Sequence, residues 1–128
     1  MRDPGAVPPR LIGRAAELGP LAAAVADSVA LAVDTETHIG TGRLRVVSLA
    51  TRDVAGLEQA WVFDARDVDA ALLAPVLSRR IAAGWNANFD AAVLDAAVFE
   101  PAGTPPSQRL RWFDAMFADA LLHQGRAG

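Results

Sequence analysis

The run Val29-Ala30-Leu31-Ala32-Val33-Asp34-Thr35-Glu36 constrains this chain more than any other stretch. An apolar run that stops abruptly at acids is how a strand buried on both faces reads, because both alternating sets of side chains must then be apolar. Residues two apart on a strand share a face. Asp34 and Glu36 are therefore expected to emerge side by side at a strand end. Two carboxylates held that close repel one another unless a cation joins them. Taken alone, the tripeptide reads equally well as an exposed acidic turn.

The rest of the chain supplies partners for that strand. Residues 1–12 are rich in Pro and read as a flexible N-terminal segment, and residues 13–128 as one domain. Leu18, Leu21, Ala22 and Val25 recur at helical spacing, with the helix starting near Pro20, where proline is tolerated in a first turn. Gly40 and Gly42 mark a turn before a second strand at Leu44–Ala50, in hairpin order. Ala60–Phe63 gives a third strand. Val68–Leu77 has helical spacing with Asp67 as its N-cap, Arg80–Trp85 a return strand, and Phe89–Phe99 a further helix. Pro101–Pro106 is a breaker-rich loop, and Trp112–His123 is predicted to be the last helix. Three strands, helix, strand, helix is an α/β order with a mixed sheet. Trp85, Phe89 and Phe99 have spacings that suit core packing, and one aromatic of this set is a candidate for stacking on an unpaired base.

Composition narrows the chemistry. Without cysteine, disulfides and thiolate metal sites are excluded. The first ten residues lack the apolar run of a signal peptide. The most apolar stretch, Leu21–Val33, is interrupted by Asp27 and too short for a bilayer. The expectation is a soluble, cytoplasmic protein with no membrane partner. A net charge of −3 speaks against binding nucleic acid by charge alone. It does not speak against a nuclease, whose carboxylates are offset by cations. No Gly-x-Gly-x-x-Gly follows the first long strand, which disfavours a dinucleotide-binding domain.

Asn86-Ala87-Asn88-Phe89-Asp90 follows the return strand and opens a helix. By itself it is a capped helix start, with Asn86 or Asn88 as the cap and Asp90 as favourable charge in the first turn. If the first long strand and the return strand are neighbours, Asp34, Glu36 and Asp90 meet at one sheet edge. Oxygen donors without Cys or paired His select Mg²⁺ or Mn²⁺. Two such ions are suited to in-line attack on a phosphodiester.

At this point the chain resembles a known family. Val33-Asp34-Thr35-Glu36-Thr37 resembles the first motif of the DEDD superfamily of 3′→5′ exonucleases. Gly84-Trp85-Asn86-Ala87-Asn88-Phe89-Asp90 resembles the second, Asn-x-x-(Phe/Tyr)-Asp. Phe113-Asp114-Ala115-Met116 and the following residues to Leu122 resemble the helix that comes next. The match is collinear from Val29 to Leu122 and is most similar to the proofreading domain of family A DNA polymerases. The resemblance implies a ribonuclease H-like mixed β-sheet flanked by helices. It implies hydrolysis at the 3′ end of single-stranded or frayed DNA, with two Mg²⁺ or Mn²⁺ ions. Asp34, Glu36 and Asp90 take the catalytic and metal-holding positions. Thr35, Thr37, Asn86 and Phe89 take positions against the substrate, and Asp114 a supporting one. A polymerase domain is the partner implied in a full-length protein.

One departure stands out. The family's third motif, Tyr or His four residues before a fourth Asp, has no counterpart, and the chain has no tyrosine. The resemblance thus implies a domain incomplete at its C-terminus, weak in activity, with one apolar sheet face left open. The alternative is a catalytically inactive remnant of the same fold that binds nucleic acid or serves as a scaffold.

Overall fold

A computed structural model of the chain describes residues 7–116, Asp119 and Leu122. In chain order the main elements are β1 (Arg10–Ile12), α1 (Leu18–Asp27), β2 (Ser28–Thr37), β3 (Leu44–Asp53), β4 (Glu58–Asp64), α2 (Ala74–Leu77), β5 (Ile81–Gly84), α3 (Ala87–Leu94), α4 (Glu100–Ala102) and β6 (Arg111–Asp114). Short 3₁₀ turns precede α1, α2 and β6, and a π-helical stretch, Asp95–Phe99, links α3 to α4. The six strands form one sheet in the order β1-β4-β3-β2-β5-β6. β2, β3 and β4 are an antiparallel meander, whereas β5 pairs parallel to β2 and β6 parallel to β5. The mixed α/β sheet expected from the element order is present.

Four local expectations change. Arg10–Ile12 do not belong to a loose segment: they pair with Trp61–Phe63 and bury Ile12. Three short residues carry too weak a period to be read as a strand without the partner. Residues 112–114 are strand and not helix, because pairing with β5 extends them. Ala115 and Met116 then turn helical, and His123 lies outside the described residues. Asp69 replaces Asp67 as a helix cap, its side chain accepting the Ala71 N–H. Pro20 lies within the first turn of α1, where its missing N–H is not needed.

The fourth change concerns β2. Its two faces are not both buried. Leu31, Val33 and Thr35 are buried, whereas Ala32, Asp34 and Glu36 are exposed. The apolar run arose because alanine occupies the open positions, and alanine tolerates either setting. On the covered face, Leu21 and Val25 of α1, Leu77 of α2, Leu94 of α3, and Val98 and Phe99 after it close over Val33, Val47, Leu49, Trp61 and Phe63. Each such side chain contributes about 1.5–3 kcal/mol by leaving water. On the open face, register aligns Ala83, Ala32, Ala50 and Ala60 in one row across four strands. Among the described residues, no helix is long and apolar enough to cross a membrane.

Candidate active site at the sheet edge

β2, β5 and β6 are mutually parallel in this sheet, so all three end at one edge. Chain ends of parallel strands are where open α/β sheets bind ligands, since the connections diverge there and leave a crevice. Asp34 and Glu36 stand at the end of β2, Trp85 and Asn86 directly follow β5, and Asp114 closes β6. Asp90 is in the first turn of α3. The sequence-predicted residues therefore meet at one edge, although their side chains take different directions.

Asp34 and Glu36 point to the open face and are exposed. Beside Asp34 runs a cleft of about 630 Å³ on that face, with Ala32, Ser48, Ala50, Ala60 and Trp85 among its lining residues. Asp90 is only 2% exposed. β2 pairs with β5 at Ala32↔Ala83. Beyond it, the Thr35 N–H donates to Asp90 Oδ1 at 3.1 Å, and Thr35 Oγ1 donates to the same oxygen at 2.5 Å. Thr35, expected against substrate, is therefore buried and holds Asp90. Its position on the covered face of β2 decides this, because that face is the one α3 approaches. Burial holds the Asp90 carboxyl above the usual carboxylate range. The two hydrogen bonds from Thr35 pull it down, and the nearby charge of Asp34 pushes it up. Asp90 thus sits within the field of Asp34 without sharing its exposure.

The expected cap of α3 is also different. Asn86 occupies the N-cap position in left-handed backbone, φ 57°, and its side chain makes no capping bond. The Ala87 N–H is instead accepted by Asp114 Oδ2 at 3.2 Å, while Asp114 Oδ1 accepts the Met116 N–H at 3.0 Å. Gly84 has its own constraint: a Cβ there would stand 2.9 Å from the Trp112 ring. The close packing of that ring on the end of β5 requires glycine.

The aromatics divide clearly. Trp61, Phe63 and Phe99 are core. Trp85 and Phe89, which spacing assigned to the core, are 59% and 50% exposed, and Phe113 is 56% exposed. Two of them flank the α3 start, where the left-handed Asn86 turns the chain away from the sheet. Phe113 enters the sequence reading only as part of a helix motif; as a strand residue it is exposed. Thr37 is half-buried at the end of β2.

The donor set suits a hard divalent cation. It is all oxygen, Asp34 and Glu36 share a face, and the buried Asp90 carboxyl lies where added positive charge would favour its ionised form. Among the described residues, however, no three His, Cys, Asp or Glu side chains stand close enough to form a cation-holding group.

No family model matches the chain, and no curated protein matches it significantly. Among solved structures it is similar to the catalytic core of RRP6 from Trypanosoma brucei, with a TM-score of 0.70 and 22% identity. The alignment covers 95% of this chain and 33% of that one, so the chain spans about a third of that structure's length. The likeness shows the fold, a ribonuclease H-like mixed sheet flanked by helices.

Proposed function

We propose that the chain is a 3′→5′ exonuclease unit of the DEDD type, acting at the 3′ end of single-stranded or frayed DNA. The observation that carries this reading is the placement of Asp34 and Glu36 on the open face at the end of β2, with Asp90, buried at the start of α3, within the field of Asp34. The motif resemblance to family A polymerase proofreading domains supports the choice of DNA. The fold likeness to a catalytic core is compatible with it.

Asp34, Glu36 and Asp90 are the residues that would hold two Mg²⁺ or Mn²⁺ ions. Such ions, when bound, would supply stabilisation of the charge that develops on a phosphodiester. The protein's own residues do the positioning. Thr35 fixes the Asp90 carboxylate through two hydrogen bonds to one oxygen. Trp85 and Phe89 offer exposed rings to an unpaired base, a contact of about 1–3 kcal/mol each. Asn86, in left-handed backbone between them, directly follows β5; in this reading it would lie beside the scissile strand. Single strands satisfy this surface better than a duplex, whose bases are already stacked.

A second reading, a nucleic-acid-binding unit without catalysis, is favoured by the absence of a three-acid group among the described residues. One experiment separates the two: a 5′-labelled single strand incubated with the chain and Mn²⁺. Stepwise shortening from the 3′ end, lost in Asp34→Ala, supports the exonuclease. Retention of the strand without shortening, weakened in Trp85→Ala, supports the second reading and overturns the first.

A further inference from the structure

We infer that Asp114 is a positioning residue that sets Asp90 from a different strand, by capping the N-terminus of α3 from outside the helix. A helix start leaves its first N–H groups without partners, and a side chain near the N-cap ordinarily accepts one of them. In α3 the residue at that position cannot: Asn86 is in left-handed backbone and its side chain makes no capping bond. The Ala87 N–H goes to Asp114 Oδ2 instead, 27 residues away in sequence.

The β5–β6 register explains why this reach is short. Gly84 is paired with Asp114, so the end of β6 lies alongside the residue that leads into the turn at 85–86. The other Asp114 oxygen accepts the Met116 N–H, which fixes the carboxylate's own orientation. A negative charge at a helix N-terminus is also favoured by the helix dipole. Asp90 is three residues after Ala87, within the first turn, and its Oδ1 accepts both bonds from Thr35. Two hydrogen-bonded links, joined by the first turn of α3, thus tie β6 to α3 and α3 to β2: Asp114 to Ala87, and Asp90 to Thr35. A shift of the α3 start moves the carboxylate relative to Asp34. The structural claim stands on these bonds alone, whereas its consequence for catalysis rests on the function proposed above.

The test reads amide hydrogen exchange in the free chain, before any activity is measured. In Asp114→Ala, exchange of the Ala87 amide should rise by roughly three- to thirtyfold, the range that loss of a helix cap produces. The Thr35 amide should rise with it, while the Val47 and Leu49 amides of β3 stay unchanged. Faster exchange at Ala87 with Thr35 unaltered would overturn the inference. Should the Ala variant fail to fold, Asp114→Asn carries the test, since its amide oxygen still accepts one bond. Its Ala87 and Thr35 amides should then both rise, by less than in a full loss of the cap. A change at one without the other overturns the linkage. For catalysis, Asp114→Ala should lower kcat on single-stranded DNA with KM unchanged, and Asp114→Asn should recover part of it. A wild-type chain with no nuclease activity would sink the proposed function and leave the exchange result to decide the positioning role.

Discussion

One crosswise row of the sheet reads Val33, Leu49 and Trp61, and its neighbour one residue back reads Ala32, Ala50 and Ala60, with Ala83 extending it onto β5. The rows lie on opposite faces. The first is buried under α1, α2, α3 and the stretch that follows α3, whereas the second floors an open groove. Large side chains on one face supply burial, and small ones on the other leave room beside Asp34. A further step along β2 repeats the contrast: Thr35 is buried against Asp90, and Asp34 and Glu36 are exposed. Alternate residues of one strand therefore divide between holding the fold and presenting carboxylates to the open face.

The covered face is where substitution should cost most. Leu31→Ala is expected to destabilise the chain by about 2–5 kcal/mol through lost burial and a residual cavity, measured by urea unfolding. A cost no larger than that of an exposed change, under about 0.5 kcal/mol, would erase the distinction between the faces.

Asp34→Ala tests the other side. Even outer-sphere partners of a cation typically carry 10- to 100-fold in activity or affinity. If Asp34 is the direct ligand proposed above, its loss should reduce 3′-end hydrolysis by at least about 100-fold, with the urea midpoint unchanged because the side chain is exposed. A large fall in stability would place Asp34 among the residues that hold the fold.

Gly84→Ala asks how tightly the two regions are joined at the end of β5. The added methyl would meet the Trp112 ring, and overpacking of this kind costs about 1–3 kcal/mol. In a Trp112→Leu background the penalty should shrink. An equal penalty in both backgrounds would show that the ring is not the obstacle.

The smallest expected effect is at Asp90, and it is a matter of pH. Its folded-state pKa is raised, chiefly by burial. The folded state therefore holds the proton more tightly than the unfolded one, and stability falls as pH rises from the ordinary carboxylate value, about 3.9, through the raised value. Asp90→Asn should remove this decline, giving a higher thermal midpoint at neutral pH without divalent ions. Added Mn²⁺ should raise the midpoint of the wild-type chain and leave the variant unmoved. A variant less stable than wild type at pH 7 would show that the ionised Asp90 stabilises the fold.

Much of this division was legible in the sequence. The strand ending in Asp34 and Glu36, the hairpin order, the return strand and the Asn-x-x-Phe-Asp helix start are local patterns, and each formed close to its expected place. Asp34 and Glu36 share a face because side chains alternate along any strand, whatever packs around it. What tertiary structure decided was which partner each edge and face received. Alanine at positions 30 and 32 does not specify burial, so β2 read as covered on both sides until α1, α2 and α3 were seen on one. The strand at 111–114 and the one at 10–12 exist through pairing with β5 and β4, and hydrogen bonds between distant strands leave no period in so few residues. Thr35 became the holder of Asp90, and Asp114 the cap of α3, because the sheet order brings residues 55 and 27 positions apart into contact. A donor and an acceptor each announce themselves in the sequence, but their pairing depends on chain path, and that is settled only when the sheet is assembled.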